Sequence, residues 1–388
     1  MFGPKLKQAR TDLGLSLRDL AARVPCDAGL LSKLENGRRR PSEAIVARLD
    51  ELLRARGELI GSSRLEAAAS IDAEPWQTAE LLQRVQVSDT TPATIEALQA
   101  TVNELCCAYS RTPALELRAE AHSWLKRVSG LLRKPVGLRE HRELLAAAGW
   151  LALLVGCCEY DAGMRASAEC TRVAARQLGT EAGHADLVGW AHEMSAWFAL
   201  TQGRYRDVLD AADAGLAVAG DRLVGVQLHA QRAKALGRLG DHAGVRRALE
   251  RGGEVLSSTP DPERTDNHFV VDPAKLDFYA MDAYRRGGND ARASEHAHAV
   301  LASGVLADGT ELAPMRVAEA RLTLASVAAR NGDLEQAVTT GMAAFGSSRR
   351  SLPSLTMVAG ELEGELTRRY PNEPATEEFR DAMRSLRV

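Results

Sequence analysis

Apolar residues recur at intervals of three and four positions along almost the whole chain, which is the spacing of one face of an α-helix. The alternation of Val, Ile, Thr and aromatic residues that is typical of strands hardly occurs. Ala, Leu and Arg are abundant, and these residues lose little conformational entropy in a helix. The pattern therefore predicts an all-α protein.

The first sixty residues divide into short helices at ordinary start and stop signals. Ser16 and Asp19 have the spacing of a capping box, and Asp27 is a candidate N-cap for the next helix. Gly37 is suited to end that helix, because glycine tolerates the left-handed conformation. The predicted helices are Lys5–Leu13, Leu17–Val24, Ala28–Asn36 and a fourth that follows Pro41 and Ser42.

Two short helices joined by a tight turn, of which the second presents polar residues, form a helix-turn-helix. The stretch LGLSLRDLAARV…LLSKLENGRRRPS resembles the Xre/Cro/cI-type helix-turn-helix family, over about residues 3–56. The resemblance implies that Ala28–Asn36 lies in the major groove of DNA and that Arg10 and Glu35 form an internal ion pair. It also implies two sets of contacts to DNA. The expected base contacts are Ala28, Gly29, Ser32 and Lys33, and the expected phosphate contacts are Arg18, Asn36, Arg38, Arg39 and Arg40.

Three positions differ from what is common in that family. Ala28 and Gly29 stand where amide side chains often contact bases, and Leu17 stands where a polar residue commonly contacts phosphate. Small residues permit close approach of the backbone but discriminate weakly between bases. We therefore expect base specificity to depend more on Lys33 and on DNA shape.

Positive charge is concentrated at this end of the chain. Residues 1–60 contain 12 Lys and Arg against 8 Asp and Glu, whereas the whole chain has a formal net charge of −3. A basic head on an acidic body is expected when only the head meets a polyanion. Arg38, Arg39 and Arg40 would then hold phosphates. The alternative is that they are solvated surface charges or partners of the helix dipole.

Glycine recurs at the turns of helix pairs in the second part of the chain. Gly163, Gly203, Gly240, Gly288 and Gly332 are separated by 40, 37, 48 and 44 residues. A small or β-branched residue follows each glycine by five positions, which lets two helices pack closely. These units resemble degenerate tetratricopeptide repeats over about residues 140–350. The resemblance implies a right-handed superhelical array of helix pairs, to which residues 76–135 would add two or three earlier helices.

Binding is expected on the concave face of such an array. Counting back thirteen, ten and six residues from successive turn glycines gives the inward positions, which include three tryptophans. Aromatic rings with a few converging polar groups suit a ligand pocket, although a single tryptophan is as readily a core residue. Glu193 and Lys234 offer opposite charges that could orient a polar or zwitterionic ligand. The predicted ligand-binding residues are Trp150, Trp190, Glu193, Trp197, Gln227, Lys234, Lys275, Phe278 and Asp282.

These patterns predict a DNA-binding domain over residues 1–58, a linker over 59–75 and a repeat domain over 76–388. The linker assignment depends on the Gly, Ser and Ala content of that segment. A long polar stretch, residues 257–273, interrupts the array. It is expected to be either a lid or a disordered excursion, and the excursion is favoured.

Other classes of protein are disfavoured by what the sequence lacks. It contains no P-loop, Rossmann, G-x-S-x-G or H-E-x-x-H motif, so we expect no enzyme, no metal site and no cofactor. The six cysteines form no C-x-x-C pair and are interpreted as reduced, mostly buried thiols. No apolar run approaches the roughly 18 residues that span a bilayer, and the first residues lack a secretion signal. A cytoplasmic protein without a membrane partner is predicted.

A Xre-type head joined to a tetratricopeptide-like body resembles bacterial quorum-sensing and peptide-responsive regulators. The resemblance implies a homodimer that engages two half-sites of double-stranded DNA and binds a small-molecule or peptide signal on its concave face. Such regulators typically clamp a peptide with asparagines, but the body has only five Asn, so the signal stays open. Two alternatives remain: a repeat-domain adaptor, and an antitoxin-like repressor that a protein partner controls.

Overall fold

The computed structural model describes residues 2–69, 90–260, 264–347 and 349–386, with side chains for all of these except 64–69. The chain divides into two compact units, Met1–Val85 and Gln86–Val388. The regular elements in the described ranges are helices, apart from one isolated bridge between Val305 and Glu311. The prediction of an all-α protein is confirmed.

Unit 1 is a cluster of short helices around one apolar core. Ser16 and Asp19 form the predicted capping box, and the Asp27 carboxylate accepts a hydrogen bond from the Leu30 amide. Gly37 has a φ of +68°, which suits the end of a helix. The buried apolar residues include Leu6, Leu20, Leu31, Leu34, Leu49 and Leu59. The helices are α1 (Phe2–Asp12), α2 (Leu17–Ala21), α3 (Ala28–Glu35), α4 (Glu43–Leu52) and α5 (Glu58–Ala69).

Helix α5 occupies most of the segment that the sequence predicts to be a linker. The buried Asp50 carboxylate accepts hydrogen bonds from the backbone amides of Gly57 and Leu59, at 2.7 and 3.0 Å. These amides would otherwise lack partners at the start of the helix. Leu59 is also buried in the core. Residues 59–69 of the predicted linker are therefore helical, because Asp50 caps this helix from a position that local composition does not show. Residues 70–75 lie outside the described ranges.

Unit 2 is built from helices joined by short turns. Its apolar core consists of two main clusters and several smaller ones, rich in Ala, Leu and Val. Two helices lie between residue 90 and the repeats, which is the described part of the segment predicted to add two or three helices. The helices are α6 (Pro92–Ala108), α7 (Ala114–Leu132), α8 (Leu138–Asp161), α9 (Arg165–Ala182), α10 (Ala185–Thr201), α11 (Tyr205–Ala219), α12 (Leu223–Leu239), α13 (His242–Ser257), α14 (Ala274–Arg286), α15 (Asp290–Gly304), α16 (Pro314–Arg330), α17 (Leu334–Ala343), α18 (Leu352–Arg369) and α19 (Pro374–Ser385).

The five turn glycines separate the helices of five successive pairs, from α8–α9 to α16–α17. Each of these glycines has a left-handed φ, between +70° and +93°, which a residue with a Cβ adopts only at a cost. The small residues predicted five positions later are buried in the pair contacts: Ala168, Val208, Val245, Ala293 and Ala337. The first helices of the pairs pack on one another in sequence, so unit 2 is a helical repeat array.

Helix α18 packs on α16 and also returns to α8 and α10. Two buried ion clusters hold it there. Arg238 donates to Asp282 at 2.6 Å, and Arg238 and Arg285 both reach Glu361 of α18 at 3.0 Å. Just before α18, Arg349 pairs with the fully buried Asp161 of α8 at 2.6 Å. Helix α18, near the C-terminal end of the array, therefore returns to and closes against its first repeat.

Helix α8 is the one described helix that is long and apolar enough to cross a membrane. The expectation that no apolar segment approaches this length was therefore wrong. The reason is that 78% of its most apolar window is buried inside unit 2, where neighbouring helices cover it on several sides. A helix that is apolar all round is typical of the centre of a large helical core.

Candidate DNA-binding surface and ligand cavity

Helix α3 separates its residues cleanly into two faces. Leu31 and Leu34 are buried in the core of unit 1, whereas Gly29 and Lys33 are exposed. Ala28 and Ser32 are half-buried and lie between them. The four predicted base contacts thus share the outward part of one helix, which is the geometry of a helix that enters a groove.

Gly29 has a structural role beside any contact with DNA. A Cβ added at Gly29 would lie 2.9 Å from Oδ1 of Asp27. That same oxygen accepts the capping hydrogen bond from the Leu30 amide at 2.7 Å. A side chain at this position would therefore require the capping Asp27 carboxylate to shift at the start of α3.

The cationic residues after α3 face solvent. Arg38, Arg39 and Arg40 are exposed, as is Arg18 on α2. The Asn36 side chain is exposed too, but its Nδ2 donates to the Ser32 carbonyl at 2.8 Å. Asn36 therefore caps the end of α3, and this bond competes with the phosphate contact predicted for it.

Arg10 and Glu35 join α1 to the end of α3 in the interior of unit 1. Arg10 Nε and Nη2 donate to the two carboxylate oxygens of Glu35 at 2.6 and 2.9 Å, and Nη1 donates to the Leu15 carbonyl at 2.7 Å. Both side chains are buried. This two-point geometry is the strongest form of such a pair, and it holds α1 where Gly3 touches the Glu35 carbonyl.

Unit 2 contains a cavity of about 560 Å³. Its wall consists of inward faces of α8, α10, α12, α14, α16 and α18, together with part of the segment that precedes α14. Most of the lining surface is apolar, but nine charged residues and several amide and hydroxyl groups also lie on it. The wall includes Trp190, Glu193, Trp197, Gln227, Gln231, Lys234, His268, Lys275, Phe278, Tyr279, Arg316, Glu319 and Met357.

Seven of the nine predicted ligand-binding residues lie on this wall, and two do not. Trp150 packs against Phe269 and His184, with ring centroids 5.3 and 5.5 Å apart, so it belongs to the core behind the wall. Asp282 is fully buried between Arg238 and Arg285. Burial alone would raise the pKa of Asp282, but the two guanidinium groups lower it. The side chains of Trp150 and Asp282 therefore contact other protein groups and do not line the cavity.

Glu193 lies between Trp190 and Trp197 on α10 and is held by amide groups. Gln227 and Gln231 donate to its Oε1 at 2.9 and 2.6 Å. Tyr279 in turn donates to the Gln227 carbonyl oxygen, which fixes the orientation of that amide. Burial raises the pKa of Glu193, and the two amide hydrogen bonds oppose this shift. The charge of Glu193 is therefore largely satisfied within the wall.

Lys275 is also tied to the protein. Its ammonium group donates to the backbone carbonyls of His268, at 3.0 Å, and Val270. Burial lowers the pKa of Lys275 to about 7, and the nearby Arg316 guanidinium lowers it further. Lys275 thus holds the preceding segment against α14 rather than projecting freely into the cavity.

Residues 264–273 form part of the cavity wall, so the favoured prediction of a disordered excursion was wrong for this stretch. Phe269 packs between Trp150 and Trp190, with both ring centroids 5.3 Å away. The His268 ring stacks on Tyr109 at 3.8 Å. These aromatic residues dock the segment, although its composition is polar overall. Residues 261–263 lie outside the described ranges.

The sequence analysis missed several wall residues. Glu319 lies thirteen residues before Gly332, which is the first of the three inward offsets. Applying the rule to the fifth glycine would have found it. Gln231 and Tyr279 each lie nine residues before a turn glycine, one position away from the chosen offset. The α18 residue Met357 has no such signal, because its place depends on the return of α18 to α8.

The cysteine thiols and the possible metal ligands do not change this description of the cavity. The six cysteines are free, and four of them are buried. Burial raises the pKa of the Cys158 thiol to about 12 and that of Cys107 to about 11. In the part of the chain that the structure describes, no three His, Cys, Asp or Glu residues are placed to hold a metal ion.

The family of helix-turn-helix domains matches residues 2–61 of the chain. Comparison with curated proteins gives no match. The matched residues contain α1 to α4 and end before unit 2 begins. The N-terminal unit therefore carries a helix-turn-helix domain, which supports a DNA-binding regulator.

Proposed function

We propose that the protein is a cytoplasmic transcription regulator with a Xre-type head and a tetratricopeptide-like body. It binds DNA as a homodimer, and a ligand in the cavity of unit 2 sets its affinity for DNA. The observation that carries the ligand-dependent part is the cavity itself, because charged side chains are buried on a wall that is otherwise apolar and aromatic. Binding sites for small molecules have this composition and size.

The DNA-binding part is supported by unit 1. Helix α3 turns Lys33 and its small neighbours outward, and the exposed run from Arg38 to Arg40 follows directly. In this arrangement Lys33 reads base edges, while the arginines hold the phosphates beside the groove. The excess of positive charge in residues 1–60 favours the same surface.

The small size of the DNA-binding surface favours dimerisation. One short recognition helix contacts only a half-site, and helix-turn-helix proteins gain affinity when two copies engage half-sites about one helical turn apart. A ligand can change that affinity only if it binds the DNA-competent arrangement and the other arrangement with different affinities. A cavity of about 560 Å³ has the size of a small-molecule site, which favours a small ligand over the protein partner of an adaptor.

The experiment is a selection from random duplex DNA with the full-length protein, followed by affinity measurements on the selected duplex. We expect a two-fold symmetric site to be enriched and a complex of two chains per duplex in sedimentation. Adding a small-molecule filtrate of cell extract should change the affinity for this duplex about 5-fold or more. Enrichment of no sequence would contradict the DNA-binding part, and an unchanged affinity would contradict the ligand-dependent part.

A further inference from the structure

Two charged groups on the cavity wall, Lys234 and Glu319, form no salt bridge with a described residue. Lys234 and Glu319 are each only 7% exposed. The Lys234 ammonium lies over the Phe278 ring, 4.6 Å from its centroid, and makes no salt bridge with a described residue. The Glu319 carboxylate likewise forms no salt bridge or side-chain hydrogen bond within the described ranges. Both groups line the same cavity.

The other buried charges of unit 2 show that this is unusual for the molecule. Asp282 has two arginines, Asp161 has Arg349, and Glu193 has two amide donors. The fold therefore satisfies buried charges wherever they hold helices together. The charged ends of Lys234 and Glu319 form no ion pair of this kind with a described residue, and a buried charge without an ionic partner is costly.

A third group, Gln231, has a polar atom without a hydrogen-bond partner among the described residues. The side-chain carbonyl oxygen of Gln231 is buried without a hydrogen-bond donor in the described part of the chain, although its amide nitrogen is bonded to Glu193. The wall thus offers a cation, Lys234, and an anion, Glu319, without a salt-bridge partner among the described residues. Burial raises the pKa of Glu319, and the charge of Lys234 opposes this shift. The two unmatched charges are therefore close enough to influence each other without touching.

We propose that the cavity binds a compact zwitterion, such as a free amino acid with an apolar or aromatic side chain. Its anionic group pairs with Lys234, its cationic group pairs with Glu319, and its apolar body lies against Trp197 and Phe278. The inference rests on the proposed function only in taking this cavity as the ligand site. Charge-assisted hydrogen bonds in a dry site give both affinity and orientation.

Calorimetry with the full-length protein tests the ligand class directly. The probes are the free L-amino acids, together with two analogues of phenylalanine that each lack one charge. Phenethylamine lacks the carboxylate, and N-acetylphenylalanine lacks the ammonium. We expect at least one apolar amino acid to bind, and its one-charge analogues to bind about 30-fold or more weakly.

Two variants then assign each charge to its partner. In Lys234→Met the preference for the amino acid over its carboxylate-free analogue should disappear, because the missing group no longer has a partner. In Glu319→Gln the preference over the N-acetylated analogue should disappear. The exposed residues Lys126 and Glu335 give matched controls, Lys126→Met and Glu335→Gln, which should keep both preferences. Circular dichroism reports whether each variant is folded.

The outcomes separate this inference from the proposed function. If no free amino acid binds, or if a one-charge analogue binds as tightly as its parent, the zwitterion proposal is overturned, even when cell filtrate still changes DNA affinity. If a zwitterion binds with these preferences but leaves DNA affinity unchanged, the ligand class stands and the proposed function fails. Should Lys234→Met unfold, Glu319→Gln and the two analogues decide the question alone.

Discussion

The two units of the molecule use charge in opposite ways. Unit 1 buries one satisfied ion pair, Arg10 with Glu35, and turns its remaining arginines near α3 toward solvent. Unit 2 places several ionisable groups in its interior, around a cavity. Exposed cations suit a large polyanion, whose phosphates lie outside the protein. Buried charges suit a ligand small enough to be enclosed, because the low dielectric inside strengthens each contact.

Unit 2 itself contains both paired and unpaired buried charges among the residues that the structure describes. The cluster of Arg238, Arg285, Asp282 and Glu361 is closed, since every charge in it has a partner at 3.1 Å or less. Lys234 lies one helical turn before Arg238 on α12 but has no such partner. The closed cluster therefore fixes the helices, and the open position is left for a molecule that the protein does not supply.

The largest expected effect concerns the closed pair of unit 1. Glu35→Ala leaves the buried Arg10 guanidinium without its carboxylate and should destabilise this unit by about 3–5 kcal/mol. Hydrogen exchange measured by mass spectrometry should show faster exchange in residues 2–61 than in the wild type. Arg48→Ala is the control, because the Arg48–Glu51 pair is exposed and is worth about 0–1 kcal/mol. Equal effects of the two substitutions would remove the distinction between a closed and an exposed pair.

A smaller effect is expected for base recognition. Lys33→Ala should reduce discrimination at one or two positions of the selected DNA site by about 1–3 kcal/mol. Affinity for unrelated duplexes should change much less. Competition binding against single-base variants of the site measures this directly. A uniform loss on every sequence would mean that Lys33 contacts phosphate instead.

The buried Lys275 should make the stability of unit 2 depend on pH. Its pKa is about 7 in the folded protein and about 10.4 in the unfolded chain, so the unfolded state binds the extra proton between these values. Stability contributed by this group is therefore lowest below pH 7 and rises toward pH 10, by at most about 1.4 kcal/mol per pH unit. Denaturant melts of wild type and Lys275→Met at several pH values should differ in this slope. The buried thiols contribute an opposite trend, but they are present in both proteins, so the comparison cancels it. Parallel pH profiles would contradict the assignment.

The smallest effect should come from a single phosphate contact. Arg39→Ala should weaken binding to all duplexes alike and make the plot of log affinity against log salt shallower by about 0.9. Binding titrations at several salt concentrations on selected and random DNA give the slope. An unchanged slope would mean that Arg39 is a solvated surface charge.

Local patterns predicted the parts of the structure that depend on neighbouring residues. Helical spacing and the turn glycines located the helix pairs, because a left-handed turn requires a residue without a Cβ, as at Gly203. The inward offsets found Trp197 and Lys234, since equivalent positions on stacked helices face one side. They do not account for Asp282, which Arg238 and Arg285 hold in a cluster with the distant Glu361. Nor do they find Phe269, which docks against tryptophans of two other helices. Such contacts leave no periodic trace in the sequence.

The most direct test of ligand control fills the cavity without changing the DNA-binding surface. Met357 lines the cavity from α18, so Met357→Trp should occupy it, while Val173→Trp places the same ring on the outside of α9. The measurement is the affinity for the selected duplex with and without the small-molecule filtrate. We predict that wild type and Val173→Trp respond about 5-fold or more, whereas Met357→Trp binds DNA but does not respond. An equal change of DNA affinity in Met357→Trp and wild type would contradict control of DNA binding by a ligand in this cavity.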